Sequence, residues 1–311
     1  MNEPGGHTPV LAREVHDLLR IRRGEVVVDA TIGVGGHARR FADVLGPEGT
    51  LIGFDVDPAT LDMAAKTLTG VSCRMELVHA NFSELCEKLE ALGIARVDVL
   101  FVDLGVSSTQ LDDPMRGFSF QRDGPLDMRM DPRLTVTAAD LVNRLKEREL
   151  ADVLYHNAQE FAARRIARRI CADRREGRIT TTARLARLVA GAVGVDPTSH
   201  KGKIHPATRT FMALRIAIND EIRCLETLLE TAPKVLNPGG RIGVIAFHSG
   251  EDKPVKLSFR RFKNQQMYEI VTQKPVIADA EERRANPRAR SAKLRVAIRL
   301  PDRESAHGAS N

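Results

Sequence analysis

Three aspartates stand at or near the ends of apolar runs, and the chain around them has the makings of a ligand site. Asp29 closes the run at 25–30, Asp55 the run at 51–55, and Asp103 nearly ends the run at 97–104. After the first run comes Ile32-Gly33-Val34-Gly35-Gly36-His37. Glycines between a strand and a helix let the backbone turn tightly and approach a ligand closely. Gly33, Gly35 and Ala38 fit the loose dinucleotide pattern G-x-G-x-x-G/A, so an NAD-dependent oxidoreductase is one reading. Asp29 argues against it. A carboxylate at that strand end repels a pyrophosphate but suits the ammonium group of S-adenosylmethionine. Its alternative role is to cap the following turn.

Asp55 and Asp57 both lie at the right separation from the glycines to meet ribose hydroxyls. Pro58 suits the first position of a helix, which makes Asp57 the N-cap and leaves Asp55 as the ribose ligand. Phe82 follows the third apolar run, where it packs on an adenine or opens a helix as a core residue. Asp103 belongs to the crevice at the carboxyl ends of the strands, where ligands bind in open sheets and where chemistry is expected.

The elements that must position these residues alternate. Apolar runs at 25–30, 51–55, 77–79 and 97–104 read as strands, with helices at 37–45, 58–68 and 82–92 between them. Near-continuous apolar strands separated by helices predict a parallel sheet covered on both faces. Residues 105–131 are loop-like, and 132–230 read as helical without a convincing strand. The clearest helix spans 160–175, with Ala163, Ile166, Ala167 and Ile170 on one side and Arg164, Arg165, Arg168, Arg169 and Arg175 on the other. Strand patterning returns at 241–247, after the turn at 237–240, and again at 268–271 and 294–300. The expectation is an α/β domain at 1–111 and 211–311, interrupted by a helical insert at 112–210, with a tail from about 301.

Composition narrows the function. The net charge is +6, and the whole surplus falls within 112–210, which suggests a polyanionic partner for the insert. With no Trp and two Tyr, a broad aromatic platform for stacking bases is not expected. Cys73, Cys86, Cys171 and Cys224 lack metal-type spacing and read as reduced thiols. Asp123, Asp127 and Asp131 do not form a recognised cation loop, so no metal is assigned. The N-terminal residues lack a signal-peptide pattern and no apolar run is long enough to span a bilayer, so a cytoplasmic protein is expected.

Several ordered stretches carry a resemblance. They are His7-Thr8-Pro9-Val10, Gly33-Val34-Gly35-Gly36-His37, Asp103-Leu104-Gly105-Val106-Ser107-Ser108 with Gln110-Leu111-Asp112, and Arg116-Gly117-Phe118-Ser119-Phe120. They continue with residues 123–131, His205-Pro206-Ala207-Thr208-Arg209-Thr210-Phe211, Phe247-His248-Ser249 and Asn286-Pro287-Arg288-Ala289-Arg290-Ser291. Together they resemble the bacterial 16S rRNA cytosine-N4 methyltransferases, the RsmH (MraW) family. The resemblance implies a class I Rossmann-like S-adenosylmethionine methyltransferase domain with an inserted all-helical domain. Its implied substrate is a decoding-region cytidine of 16S rRNA in the assembled small ribosomal subunit.

Carried over by motif, the cofactor contacts are Gly35, Gly36, His37, Asp55, Phe82, Asp103 and Gln110, beside Asp29 and Gly33 from the residues themselves. Asp103, or carbonyls of the turn after it, accepts from the target amine. His248 is a proton acceptor, an RNA contact, or a histidine hydrogen-bonded at a strand end. Arg116, Arg129, Arg164, Arg165, Arg168 and Arg169 are expected on RNA phosphates. Two stretches depart from the family pattern. His156-Asn157-Ala158-Gln159-Glu160 replaces a Tyr-Gly-Glu-Glu motif, and Gly250 and Pro254 are expected to weaken the helix that holds them. An oxidoreductase and a noncatalytic ribosome-assembly protein stay as the alternative classes.

Overall fold

A computed structural model of the chain describes residues 9–195 and 205–302. His7 and Thr8 of the first matching stretch, and the tail beyond 302, lie outside the described residues. The chain divides into two compact units: Met1–Gly105 with Arg223–Asn311, and Val106–Ile222.

The first unit begins with α1 (Ala12–Leu19), β1 (Val26–Asp29), α2 (Gly36–Leu45), β2 (Thr50–Asp55), α3 (Pro58–Thr67), β3 (Arg74–His79), α4 (Leu85–Ala91) and β4 (Val97–Asp103). The second unit holds α5 (Ser108–Asp112), α6 (Ala138–Arg144), α7 (Glu147–Ala158), α8 (Ala163–Asp173), α9 (Thr182–Val193) and α10 (Ala207–Asn219). After α11 (Glu221–Val235) come β5 (Leu236–Ala246), α12 (Ser249–Asn264), β6 (Tyr268–Ile270), α13 (Ala280–Ala285) and β7 (Lys293–Arg299).

The seven strands form one sheet in the order β3-β2-β1-β4-β5-β7-β6. The first five of that order run parallel, and β7 runs antiparallel to both its neighbours. Alternation along each strand builds the two faces. Val28, Ile52, Phe54, Leu100 and Val102 pack on one side with Leu225, Leu228 and Phe259, whereas Val27, Leu51, Val99 and Phe101 pack on the other with Val15, Leu19 and Phe41. A strand buried on both faces has few polar positions, which is why these runs read as continuously apolar. This is the class I Rossmann-like fold expected from the sequence.

The second compact unit, Val106–Ile222, includes the whole 112–210 stretch expected as the insert and runs past it at both ends. Phe211, Ala213, Leu214 and Ile218 of α10 fill the insert's own core, alongside Ile166, Ile170 and Leu185. The turn at 237–240 does not precede β5 but interrupts it: Val97 pairs with Leu236 and Val99 with Arg241. The intervening residues are accommodated as an irregularity, with Gly239 at φ 80°. Finally, α12 runs 16 residues without a break despite Gly250 and Pro254. The buried Val255, Phe259 and Phe262 hold it, since packing of an apolar face outweighs local propensity.

In the second unit α8 is shorter than predicted, but its two faces fall as the periodicity requires. Ala163, Ile166, Ala167 and Ile170 are buried, and Arg164, Arg165, Arg168, Arg169 and Arg175 are exposed.

Candidate active site

Because β3, β2, β1, β4 and β5 are parallel, their carboxyl ends share one edge of the sheet. That edge brings together the segments carrying Phe82, Asp55, Asp29, Asp103 and His248, each just at or past its strand end. The glycine-rich turn lies there too. Gly35 takes φ 89° as the N-cap of α2, a conformation that side-chain-bearing residues rarely adopt. At Gly36 a Cβ would stand 2.9 Å from Pro9 Cγ, so only glycine lets the two segments approach this closely.

Local hydrogen bonds fix the acidic groups. Gly33 N donates to Asp55 Oδ2 at 3.2 Å and Asp57 N to Asp55 Oδ1 at 2.9 Å, tying the turn to the end of β2. Asp57 caps α3 by accepting from Ala59 N at 3.1 Å, the role that Pro58 predicts for it. Asp29 is 1% exposed and accepts from Thr31 N at 3.2 Å, so it does stabilise the following turn. Asp103 N donates to Thr31 Oγ1 at 2.6 Å, which links β4 to β1.

These carboxylates are short of compensating charge. Burial raises the Asp29 pKa to about 7, with a further push from Asp55. Burial likewise raises Asp55 to about 6 despite its backbone hydrogen bonds. Asp103 is pushed well above the usual carboxylate range, first by burial and then by the charges of Asp29 and Glu251. Its Oδ1 is buried with no hydrogen-bond partner among the described residues. His37, 7% exposed, packs its ring 4.7 Å from that of Phe101. Burial, followed by the charge of Arg40, lowers the His37 pKa to about 3, so the ring is neutral. Its Nε2 lies 3.9 Å from Asp103 Oδ2, which is therefore not an ion pair; the backbone of Val10 lies close enough to favour the protonated ring slightly, but neither ring nitrogen meets hydrogen-bond geometry among the described residues. An unsatisfied buried polar group costs about 1–3 kcal/mol, a cost that a bound ligand removes. The cluster fits a ligand bearing positive charge and hydrogen-bonding groups. A pyrophosphate would add negative charge to groups that already resist ionisation.

The remaining sequence candidates fall into place differently. Phe82 opens a short 3₁₀ turn, half-buried against the core, behind an Asn81 that accepts from Ser83 N at 2.9 Å. His248 is the N-cap of α12, with Nε2 2.9 Å from Glu251 Oε1 in a contact too poorly aligned to count as a hydrogen bond. Glu251 was not singled out by sequence reasoning. It is 2% exposed and accepts from Phe247 N at 2.7 Å and His248 N at 3.3 Å, anchoring the end of β5. The signal available was a glutamate at the third helical position, where its side chain turns back on the N-cap backbone.

Within the second unit, Gln110 closes a capping box on α5: Ser107 N donates to its Oε1 and Gln110 N to Ser107 Oγ, both at 3.2 Å. Arg129 forms a bidentate pair with Asp127 at 2.7 Å and donates to Leu134 O. Arg116 donates to the carbonyls of Arg129 and Met130 at 3.0 Å each. Arg116 and Arg129 thus brace this loop, whereas Arg164, Arg165, Arg168 and Arg169 of α8 are exposed, Arg168 with Glu147 at 3.7 Å. Asp123 accepts from Ala183 N, and Asp131 pairs with Arg133. Among the described residues no group of three or more His, Cys, Asp or Glu is arranged to hold a metal, and no helix is long and apolar enough to cross a membrane.

The chain is 47% identical over 295 residues to the ribosomal RNA small subunit methyltransferase H of Acidobacterium capsulatum, covering 94% of this chain and 97% of that protein. It is 46% identical over 299 residues to the protein of the same name from Sorangium cellulosum, covering 96% and 92%. A third, from Koribacter versatilis, is 46% identical over 305 residues, covering 96% and 95%. Residues 5–300 match the model of the MraW methylase family, and the chain belongs to that family of S-adenosylmethionine-dependent methyltransferases.

Proposed function

We propose that the protein methylates small-subunit ribosomal RNA, and that its target is the N4 amino group of a decoding-region cytidine in 16S rRNA of the assembled subunit, in the cytoplasm. The observation that carries the chemical step is the buried Oδ1 of Asp103 at the carboxyl end of β4, which has no hydrogen-bond partner among the described residues. Near-full-length identity to small-subunit rRNA methyltransferases supports the substrate class.

S-adenosylmethionine supplies an electrophilic methyl group when bound. Asp29 receives its ammonium group, Asp55 its ribose hydroxyls and Phe82 its adenine, while Gly33, Gly35 and Gly36 let the backbone come close. His37, neutral and buried, offers hydrogen bonds without repelling a cation. Positive charge beside Asp29, Asp55 and Asp103 favours their ionised forms, undoing the effect of burial.

A cytosine amine is a poor nucleophile because its lone pair is delocalised into the ring. Asp103 accepts hydrogen bonds from the amine protons, orients the nitrogen, and takes up the proton that leaves as the new N–C bond forms and the methyl's bond to sulfur breaks, leaving a neutral thioether. Orientation of this kind supplies much of the acceleration. His248, steadied by Glu251, lies at the neighbouring strand end as a second polar contact for the base. The target leaves its stack to reach the crevice, while exposed arginines of α8 hold phosphates of the same RNA.

The test is methyl transfer to purified small subunits lacking the modification, followed by nucleoside mass spectrometry. The expected product is N4-methylcytidine, with Asp103→Ala slowing its formation by about 100-fold or more at saturating cofactor and RNA. Label in another nucleoside overturns the target, and near-normal turnover by Asp103→Ala overturns the role of that carboxylate.

A further inference from the structure

We infer that the helical unit carries a nucleobase-stacking site at Phe161, an inference that rests on the RNA-methylating reading above. Phe161 is 78% exposed, the most exposed of the large apolar side chains described, and Tyr155 on the preceding helix is 49% exposed. The segment between α7 and α8 that presents the ring is firmly held. Glu160, only 7% exposed, accepts from Ala162 N at 2.9 Å through its carboxylate and from Ala163 N at 3.0 Å through its carbonyl. Arg209 sits over the ring, its Cζ 5.5 Å from the centroid, and donates to Gln159 O at 3.4 Å. The ring is therefore presented to solvent on a fixed turn beside a cation.

The surrounding charge identifies the occupant. Arg164 and Arg165 lie in the first turn of α8, and Arg168 and Arg169 one turn further on, all exposed. The helix has no acidic residue in its first turn, and it ends in Asp173. Two arginines and no acid in the first turn oppose the helix dipole, which favours acids at the start of a helix, whereas Asp173 at its end is held by Arg184 at 2.6 Å. Stability does not select an exposed phenylalanine or arginines at the positive end of a helix. A ligand that presents flat π-faces between negative charges satisfies both at once, and RNA is such a ligand. Arg168 has Glu147 3.7 Å away, but an apolar protein partner would supply no counter-charge to Arg164, Arg165 and Arg169. A single ring also differs from the broad aromatic platform that the composition disfavours, because Arg209 supplies the second stacking surface.

The site is tested by equilibrium binding of wild type, Phe161→Ala and Phe161→Trp to three probes: small subunits lacking the modification, protein-free 16S rRNA, and inorganic polyphosphate, which has charge but no bases. Phe161→Ala is expected to weaken binding to both RNA-containing probes about tenfold, leaving polyphosphate affinity and the salt slope unchanged, with Phe161→Trp restoring the affinity. Affinity of Phe161→Ala for 16S rRNA within twofold of wild type overturns the stacking site while leaving the RNA reading intact. Loss on subunits alone places a protein against the ring, and equal loss on polyphosphate makes the effect structural; each overturns the proposal. Failure of wild type to bind either RNA-containing probe removes the RNA reading and the stacking site with it.

Discussion

At the carboxyl edge of the sheet, Asp29 and Asp103 are held among apolar groups with their pKa values raised, whereas along α8 four arginines are exposed to water, two of them in the first turn, where the helix dipole disfavours their charge. One unit buries charge that it does not neutralise; the other exposes charge that its backbone does not favour. Neither arrangement serves stability, and proteins commonly give up stability at sites that bind or react. The signs differ as the ligands do. A recess of carboxylates suits a compact cation that loses its water on binding, while a spread of exposed guanidinium groups suits a long polyanion that keeps most of its water.

The contrast breaks most visibly at Asp29. Replacement by Asn keeps an oxygen for Thr31 N but removes the charge. S-adenosylmethionine affinity is expected to fall about 10- to 100-fold, the range of a lost charge-assisted hydrogen bond. The ligand-free protein is expected to gain stability at pH 8. The folded-state pKa of about 7 lies above the ordinary 3.8, so the contribution of Asp29 to stability is fully present below about pH 4 and lost as pH rises through 7. Urea unfolding is expected to show Asp29→Asn about 1–3 kcal/mol more stable than wild type at pH 8, with the difference vanishing near pH 4. A variant less stable than wild type at pH 8 would mean that the buried charge is compensated after all.

A smaller effect is expected at Glu251, whose charge adds to the rise in the Asp103 pKa. Glu251→Gln removes that charge and should move the acid limb of the pH–rate profile to lower pH. A limb that stays in place, with only the rate reduced, would restrict Glu251 to anchoring α12. The smallest single effects belong to the arginines. Each of Arg164, Arg165, Arg168 and Arg169 changed to Gln should lower the slope of log affinity against log salt by about 1, with cofactor affinity untouched. An unchanged slope would show those side chains to be away from phosphate.

The same contrast explains how much could be read from the chain. Strands buried on both faces are nearly continuous apolar runs, so Asp29, Asp55 and Asp103 stand out as their polar ends. Pro58 separated the cap Asp57 from Asp55 through backbone geometry alone. The faces of α8 were legible because helical period sorts arginine from isoleucine. What escaped depends on contacts distant in sequence or on fine local geometry. The contacts of Arg116 with the carbonyl of Arg129 and of Arg129 with Asp127 form only in the folded loop. An apolar helix such as α10 carries no mark in its sequence of which core it joins, and in the fold it packs into the core of the second unit. Pro254 suggested a weakened helix because the packing of Phe259 and Phe262 that holds α12 is not visible locally.

A site built around a cation requires its buried carboxylates to take on charge when the cofactor binds. Calorimetric titration of S-adenosylmethionine near pH 6.5, in two buffers of different ionisation enthalpy, measures the protons exchanged. With Asp29 at about 7 and Asp55 at about 6 in the free protein, binding is predicted to release protons, and Asp29→Asn to release fewer. Binding without proton release, equal in wild type and Asp29→Asn, would contradict a site built to ionise around a cation.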